Sequence, residues 1–484
     1  MARKKAAAAA PAEPPKQRLV LEGALHHSSS SKGGAAGSHA ELVKRLTSVH
    51  DQLRDFDQDT VDTSSLDRCA DELVDPTLLL HKDKSVKALV AACIVDILRL
   101  YAPEAPYTPA QLHDLFEFLT NQLKYAGDPK DPNQPEHFYV VDSLASVKSI
   151  VLVCDLDHAD QLLSRIFAVV FDTVSSQTPK NVTLALSDIL LSLLDEATSI
   201  PPGVINALTA QFIPSRANSS SRASKGKDRA PGPDDDNNTE SAHERRAAFR
   251  LAVDVARAAS DKLQRYVSQY FSETVLASVN GGNGVRGARS GDDDDEDDEM
   301  SEPESSADDD DDDDDDEGTA RGRGRGKRRA KTKARAKLAK DSHFVPGGGA
   351  RNGMETGEYA SLPAQLVDAH RLIRSLNRHV PALLLNVIPQ LAEELTSNEP
   401  FLRILATDFL GQMLGEPVGR GDLAKNNPGV WKAWLKRARD KDAKVRIKMC
   451  DRLEPIWREH PELAQDVEGQ FPSLSLPLTS YRRI

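Results

Sequence analysis

Hydrophobic positions along this chain recur mainly at steps of three and four residues, and the pattern is clearest in segment 82–108. Such spacing places apolar side chains on one face of a helix. In this segment the positions are Val86, Leu89, Val90, Cys93, Ile94, Ile97 and Tyr101. Pro103 and Pro106 end the helix, because proline lacks an amide hydrogen and disfavours helix in the preceding residue. The pattern therefore predicts a helix followed by a stiff loop, which a core helix alone does not require.

The same helical periodicity begins at Glu41 and covers most of the chain. No segment shows the sustained alternation of polar and apolar residues that is typical of half-buried strands. Short breaks rich in Pro, Gly, Asp and Asn separate the periodic segments, as expected for turns between helices. The helical segments are predicted at about 65–80, 85–101, 109–125, 136–153, 158–175, 180–196, 203–212 and 243–279, and again from Leu362 to about Gln470.

Four predicted helices align as copies of one repeat, with starts at Val86, Val182, Leu402 and Val445. Each has a small or short residue five positions later and apolar residues eight and eleven positions later. The last two starts lie 43 residues apart, within the roughly 40–47-residue period of HEAT units. One helix pair cannot bury its apolar face alone, so such pairs stack. The predicted fold class is therefore all-α, a HEAT-like helix-pair solenoid interrupted by long insertions.

Composition divides the chain into stretches that can bury a core and stretches that cannot. Segments rich in Ser, Gly, Pro or charge are expected to be disordered, because they have too few apolar residues to offset the entropy of ordering. The expected organisation is a disordered tail (1–40), a first block of repeats (41–213), a disordered loop (214–242), a helix pair (243–279), a disordered acidic and basic insert (280–357), a second block of repeats (358–470) and an irregular C-terminus (471–484).

The net charge of −13 is concentrated in the insert. Residues 292–317 contain 20 acidic and no basic residues, and residues 321–340 contain 11 basic and no acidic residues. The low overall pI therefore says little about the folded part. The acidic run is typical of a solvated, self-repelling tail, although it could also compete for basic proteins. Three serines in it have an acidic residue three positions later and are candidate phosphorylation sites: Ser301, Ser305 and Ser306.

The basic run has two interpretations, which do not exclude each other. Clustered bases suit a nuclear-localisation signal, and the alternation of Arg with Gly suits a flexible arm that contacts nucleic-acid phosphates. Both point to a nuclear protein. The candidate residues are Arg321, Arg323, Arg325, Lys327, Arg328, Arg329, Lys331 and Lys333. Residues 431–452 are also basic, with nine bases against three acids; a solvated helix face is the ordinary explanation, and phosphate binding is the alternative.

The sequence contains no motif of a known catalytic site. It lacks the nucleophile elbow, the P-loop, the dinucleotide-binding glycines after a strand, and the zinc-protease helix. The 13 histidines are scattered, and His81, His113 and His137 are expected at the surface or at helix caps. The four cysteines form no C-x-x-C pair, which disfavours a zinc site or disulfide framework; Cys93 and Cys450 fall on apolar helix faces. No apolar run approaches the length of a membrane span. We therefore expect neither an enzyme nor a cofactor.

Segment 82–108 resembles the N-terminal region of the cohesin-associated sister-chromatid cohesion proteins, the family known for "precocious dissociation of sisters". The segment YAPEAPYT (101–108), preceded by VAACIVDILRL (90–100), closely resembles the corresponding segment of that family. Further similar blocks follow in the family's order, so that the resemblance covers most of 41–213 and 359–467. These blocks are LTSVHDQLRDFDQD (46–59), QLKYAGDP (122–129), VDSLASVKSIVLVCDL (141–156), LLLNVIPQLAEELTSNE (383–399) and VWKAWLKRARDKDAKVRIKMCDRLEPIWREHPELAQDV (430–467).

The resemblance implies a HEAT-repeat protein without enzymatic activity, located in the nucleus on chromatin. Members of the family bind the kleisin subunit of cohesin and dock short peptide motifs of release and acetylation factors. The helix and loop corresponding to 82–107 are implicated in that docking. The residues carried over to this chain are Lys84, Lys87, Asp96, Arg99, Tyr101, Pro103, Glu104, Pro106 and Tyr107. The alternative is a nuclear protein that binds nucleic acid or histones through its acidic and basic insert, with direct DNA contact through the basic run.

The sequence departs from the family pattern in two respects. The 280–357 insert interrupts a place where members pass directly between repeats, and we expect it to loop out without breaking the stack. The chain also ends at Ile484, whereas family members are much longer. It is therefore expected to be a fragment, a truncated gene model or an isoform, with part of the kleisin-binding surface missing.

Overall fold

The structure, a computed structural model, describes residues 16–21, 23–25, 35–213, 243, 245–280, 364–417, 423–463 and 466. Within these ranges the chain is almost entirely helical, and the one β-type pairing described is an isolated parallel bridge between Gln17 and Val61. The α-helices are α1 (Ala35–Asp55), α2 (Asp67–Leu73), α3 (Pro76–Leu79), α4 (Lys84–Tyr101), α5 (Pro109–Ala126), α6 (Gln134–Val147), α7 (Ala159–Thr173), α8 (Lys180–Glu196), α9 (Pro202–Thr209), α10 (Ala247–Ala258), α11 (Ser260–Asn280), α12 (Ala364–His379), α13 (Ile388–Glu394), α14 (Pro400–Leu414), α15 (Leu423–Asn426), α16 (Pro428–Leu435) and α17 (Ala443–Glu459).

Short 3₁₀ helices complete the described secondary structure. They are Thr63–Ser65, Ser149–Asp155, Ala210–Phe212, Pro381–Leu384, Lys436–Arg439 and Pro461–Leu463. Proline stands in the first turn of several helices, where its fixed φ suits the helix and its missing amide hydrogen costs no bond. The bounds of most helices agree closely with the positions that the sequence pattern predicts.

The helices stack in two layers. In the first block α4, α6, α8 and α10 follow one another in one layer, and α5, α7 and α9 form the other. In the second block α14 lies between α12 and α17, with α13 and α16 on the second layer. Stacked helices bury apolar stripes against their neighbours, and buried residues of both blocks belong to one large core cluster. A smaller, separate cluster in the second block consists of Leu366, Val367, Leu402, Leu405 and Phe409. The all-α, HEAT-like helix-pair solenoid predicted from the sequence is confirmed.

The helices on either side of the 280–357 insert contact each other directly. Arg257 donates from Nε to the carbonyl oxygen of His379 at 3.0 Å, and the rings of Phe249 and His379 meet edge to face at 4.9 Å. Farther along, Ser272 and Gln390 are hydrogen-bonded at 3.0 Å. These contacts agree with an insert that leaves the stack unbroken. The insert itself lies outside the described residues, except for Asn280, as do residues 214–242 and 471–484.

The predicted disordered tail (1–40) is wrong for the part of it that the structure describes. Leu19 and Leu25 are buried. The amide of Leu25 donates to Glu72 Oε2 at 2.6 Å, and Arg45 donates to the carbonyl oxygen of Ala24 at 3.1 Å. An extended segment that is anchored by two leucines has no helical periodicity, so the sequence pattern could not reveal it.

Three other predictions are corrected by the structure. The helix predicted at 136–153 ends at Val147, because Lys148 adopts a left-handed conformation with φ of 58° and a 3₁₀ helix follows. His137, predicted at the surface or at a helix cap, lies inside α6 and is buried, and its ring stacks on Tyr125 at 5.2 Å. Cys450, predicted on an apolar face, is exposed.

No single helix in the described ranges is long and apolar enough to cross a membrane. One bent pair, Gln134–Val147 with Ser149–Asp155, passes a test of length and composition when the two helices are taken together. Its apolar residues, Val140, Val141 and Ile150 among them, are buried in the core of the solenoid.

Candidate partner-docking surface

Helix α4 is the structural centre of the first repeats. Asp83 begins it by accepting hydrogen bonds from the amides of Ser85 and Val86 at 2.8 and 3.1 Å, and the bond from Val86 is the main reason that the pKa of Asp83 is lowered. The helix packs on α1 along one side and on α6 along the other. It therefore buries residues around most of its circumference, from Val86 to Leu100. A helix buried in this way leaves only its two ends for a partner.

The nine residues carried over from the resemblance do not form one surface. Lys84 and Lys87 lie at the N-terminal end of α4, while Tyr101 and the residues after it lie at the C-terminal end. A rise of 1.5 Å per residue separates the two ends by about 25 Å. A short peptide motif that docks beside Tyr101 therefore does not reach Lys84.

Asp96, which the resemblance carried over as a docking residue, is buried and does not face outward. Its carboxylate accepts a hydrogen bond from the Tyr139 hydroxyl at 2.6 Å and lies 3.1 Å from His50 Nδ1 and 3.3 Å from Arg99. Burial raises the pKa of Tyr139, and its hydrogen bond to Asp96 adds to that rise. Asp96 thus joins α1, α4 and α6. The spacing of apolar residues places Asp96 off the apolar stripe of α4, but neighbouring helices cover that side of α4 as well.

Arg99 is also a structural residue. Its guanidinium donates to the carbonyl oxygens of Leu53 at 2.8 Å and Phe56 at 3.0 Å. These carbonyls lie at and just beyond the C-terminus of α1, where helical carbonyl groups lack partners within the helix. Arg99 satisfies them and carries a positive charge to the negative end of the helix dipole.

The loop after α4, residues 102–107, is named here the docking loop. The side chain of Gln58 donates to the carbonyl oxygen of Ala102 at its start, and the amide of Glu104 donates to the carbonyl oxygen of Tyr101 at 3.1 Å. At its end Thr108 and Gln111 form a reciprocal capping box that begins α5. The loop is therefore held at both ends by hydrogen bonds.

The two tyrosines beside the docking loop are partly buried. The Tyr101 hydroxyl lies 2.8 Å from the carbonyl oxygen of Thr63 and 2.6 Å from Asp67 Oδ1. Burial raises the pKa of Tyr101, and the hydrogen bond to Asp67 raises it further. The Tyr107 ring packs on the core, and its hydroxyl is buried without a hydrogen-bond partner in the described part of the chain. Burial raises the pKa of Tyr107 as well.

The accessible surface at the C-terminal end of α4 is a proline-rich edge with acidic side chains around it. Pro103 and Glu104 are exposed, and Pro106 is half-buried. Exposed carboxylates flank the edge, from the α1–α2 connection and from α2: Asp57, Asp59, Asp67 and Asp71. Gln58 and these aspartates were missed by sequence reasoning. Asp57, Gln58 and Asp59 belong to the similar block 46–59, which the resemblance did not connect to the loop, and no sequence signal marked Asp67 or Asp71.

The N-terminal end of α4 has a different character. The Lys84 ammonium lies 4.9 Å from the centre of the Tyr125 ring, a cation–π geometry, and Lys87 is half-buried. His39 lies 3.1 Å from Asp83. These contacts link α1, α4 and α5, and they account for Lys84 without a partner protein.

The remaining candidate residues lie outside the described ranges. They are the basic residues Arg321, Arg323, Arg325, Lys327, Arg328, Arg329, Lys331 and Lys333, and the serines Ser301, Ser305 and Ser306. Among the residues that are described, no group of three or more His, Cys, Asp or Glu side chains is arranged to hold a metal ion.

Comparison with known proteins gives consistent matches. The pattern of the family described as "Sister chromatid cohesion protein PDS5 protein" matches residues 40–475. The sister chromatid cohesion protein pds5 of Schizosaccharomyces pombe is 29% identical over 412 residues, which are 85% of this chain and 26% of the relative. The PDS5 protein of Saccharomyces cerevisiae is 24% identical over 429 residues, 88% of this chain and 26% of the relative. The chain thus spans about a quarter of the length of these relatives.

A solved structure shows the same fold. It is described as "Structure of the Pds5-Scc1 complex and implications for cohesin function". The match has a TM-score of 0.64 at 22% identity and covers 95% of this chain and 55% of the other.

Proposed function

Because this chain belongs to the PDS5 family of sister chromatid cohesion proteins, we propose that it is a non-enzymatic scaffold that regulates cohesin in the nucleus. Its partners are then the kleisin subunit of cohesin and short peptide motifs of the release and acetylation factors. Membership of the family supports the proposed role in regulating cohesin. The surface around the docking loop supports the proposed binding of peptide motifs at that loop.

The observation that carries the docking proposal is the combination of a fixed proline-rich loop with an acidic border. A loop that is already held by Gln58 and by the Thr108 capping box loses little conformational entropy when a peptide binds. The half-buried ring of Tyr101 lies beside the exposed Pro103, and aromatic residues are frequent in binding hot spots. The carboxylates of Glu104, Asp67 and their neighbours fit an arginine of the partner. This chemistry suits a peptide that contains tyrosine, serine and arginine.

Kleisin binding is proposed on different grounds. The related protein of the solved complex is bound to Scc1, and the stacked helices of this chain have the same fold.

Deletion of residues 281–357 separates this function from the alternative, in which the charged insert binds nucleic acid or histones. The two helix blocks contact each other without the insert through Arg257 and His379, so the deleted chain is expected to fold. Pull-down by an immobilised release-factor peptide and by histones is measured for the full and deleted chains. We expect peptide capture to persist in the deleted chain, whereas the alternative requires histone capture by the full chain that is lost on deletion. Loss of peptide capture from a folded, deleted chain contradicts the docking proposal.

A further inference from the structure

Four lysines are exposed around the turn between α16 and α17. Lys432 lies on α16, Lys436 begins the 3₁₀ helix Lys436–Arg439, Lys441 lies in the turn, and Lys444 lies in the first turn of α17. None of the four forms an ion pair with a carboxylate among the residues that the structure describes. These residues are named here the α16–α17 basic surface.

The carboxylates of this turn face away from solvent or cap a helix. Asp440 is buried and accepts two hydrogen bonds from Arg403, at 3.1 and 3.2 Å, and one from Arg437 at 2.7 Å. Burial would raise the pKa of Asp440, but the amide of Asp442 and the two guanidinium groups outweigh it and lower that pKa. Asp442 accepts from the amide of Lys444 at 2.8 Å and begins α17. The acids of the turn are therefore used internally.

The same contacts fix the geometry of the turn. Arg446 donates to the carbonyl oxygens of Asp440 at 2.6 Å and Lys441 at 3.3 Å. Trp434 donates from its indole nitrogen to the carbonyl oxygen of Thr407 at 2.8 Å, which ties α16 to α14. The lysines thus project from a frame that is held by buried groups, and the N-terminus of the 17-residue α17 adds partial positive charge.

We infer that the α16–α17 basic surface binds the phosphate backbone of duplex DNA. The chain as a whole carries −13, so its overall charge does not attract DNA, and the attraction must come from a local surface. Exposed lysines without carboxylate partners act as point charges toward phosphates. Binding of single strands depends on exposed aromatic rings for stacking. Trp431 and Trp434 are buried and stacked on each other, so the surface favours a duplex read without regard to sequence.

This inference goes beyond the proposed docking of kleisin and peptides. It places a direct DNA contact on a folded part of the second block, at four lysines within the basic segment 431–452 for which the sequence left phosphate binding as an alternative. The partner chemistry is different, and neither function requires the other.

The test measures the affinity of the full chain for a 30-base-pair duplex by fluorescence anisotropy across a salt series. To reduce the background, all proteins carry glutamine at Lys327, Arg328, Arg329, Lys331 and Lys333. The variant adds Lys432→Gln, Lys436→Gln, Lys441→Gln and Lys444→Gln. Each phosphate contact contributes about 0.9 to the slope of log K against log salt, so we expect the slope to fall by about 3 to 4 and the low-salt affinity to fall at least roughly a hundredfold.

A matched control carries the same change of net charge at four exposed lysines of the first block: Lys82, Lys124, Lys130 and Lys180. We expect it to keep the parental slope. Equal losses in the control and the variant, or an unchanged slope in the variant, would overturn the inference. Circular dichroism confirms that each protein is folded.

A second measurement uses the unsubstituted protein. Acetylation of lysines is followed by mass spectrometry with and without saturating duplex. We expect DNA to protect the four lysines of the basic surface and to leave the four control lysines reactive. If the four remain reactive, or if a polyglutamate peptide protects them as well as DNA does at the same salt, the assignment to DNA is wrong.

Discussion

Tyr107 is the residue at the docking loop whose role is most changed by the structure. The family resemblance implied that it is one of the residues that dock a partner peptide. Its ring packs on the core, however, and its buried hydroxyl lacks a partner among the described residues. Periodicity and proline positions predicted the loop, but they could not show which way a side chain of the loop would turn. Tyr107 and Asp96 therefore belong to the core, while Pro103 and Glu104 remain available to a partner.

The substitution Tyr107→Phe should be neutral or stabilising. A buried hydroxyl without a hydrogen bond has given up its hydrogen bonds to water and has formed none in the protein. Its removal therefore eliminates a desolvation penalty of about 1 to 3 kcal/mol. Tyr101→Phe is the matched control, because the Tyr101 hydroxyl is bonded to Thr63 and Asp67; it should lower the unfolding free energy by about 1 kcal/mol. Urea unfolding measures both. A Tyr107→Phe protein less stable than Tyr101→Phe would show that the Tyr107 hydroxyl has a favourable contact.

The buried pair His370 and Glu394 gives the second block a dependence on pH. His370 Nε2 lies 2.8 Å from Glu394, and Nδ1 lies 2.8 Å from the carbonyl oxygen of Leu366. With Glu394 ionised, both ring nitrogens face acceptors, and this arrangement favours the charged imidazole. Burial lowers the pKa of His370, but the Glu394 charge and the two hydrogen bonds outweigh it, and the pKa is raised.

A raised pKa in the folded state stabilises the protein fully below the unfolded pKa of about 6.5, and the contribution is lost as pH rises through the folded pKa. We therefore expect His370→Gln to reduce the unfolding free energy most at pH 6 and progressively less above neutral pH. His113→Gln, at a half-exposed site, is the control and should have little effect. A His370→Gln effect that is constant from pH 6 to 9 would mean that the imidazole is neutral.

At the scale of elements, the helices were largely predictable, because apolar spacing and prolines mark both their faces and their ends. The predicted helices at 85–101, 109–125 and 180–196 lie within one residue of α4, α5 and α8. The break at Lys148 was not predictable, since its left-handed conformation is set by packing and not by a glycine or proline. Burial of both sides of α4 was also hidden, because polar residues such as Asp96 are spaced like surface residues.

The group of Asp96, His50, Tyr139 and Arg99 should be the main polar link between α1, α4 and α6. Asp96→Ala removes the carboxylate and leaves the hydroxyl of the half-buried Tyr139 and part of the Arg99 guanidinium unpaired. Loss of one partner of a buried charged pair lowers the unfolding free energy by about 3 to 5 kcal/mol. Asp142→Ala on the exposed face of α6 is the control and should change it by less than about 0.5 kcal/mol. Thermal and urea unfolding report both, and equal effects would contradict the assigned role.

At the scale of the whole molecule, the charge pattern and the stack are separate features. The stack passes from Phe249 to His379, on either side of residues 292–340, which hold 20 acidic and 11 basic residues. Composition predicted that division. It could not predict the anchoring of Leu19 and Leu25 on the first helices, because an extended segment in contact with a core carries no periodic signal.

The central claim is that peptide docking takes place at the C-terminal end of α4, on the docking loop, and not along the whole helix. The two ends are about 25 Å apart. Each carries an exposed charged residue, Lys84 at one end and Glu104 at the other. Charge reversal at each end, in otherwise identical proteins, therefore locates the site.

The most direct test is calorimetric titration of the chain with a release-factor peptide that contains tyrosine, serine and arginine. We expect Glu104→Lys to weaken binding at least about tenfold, which corresponds to about 1.4 kcal/mol, because it places a positive charge against the partner's arginine. Lys84→Glu should leave the affinity within about twofold, a difference of less than about 0.5 kcal/mol. Unchanged affinity in a folded Glu104→Lys protein, or an equal loss in Lys84→Glu, would contradict the account.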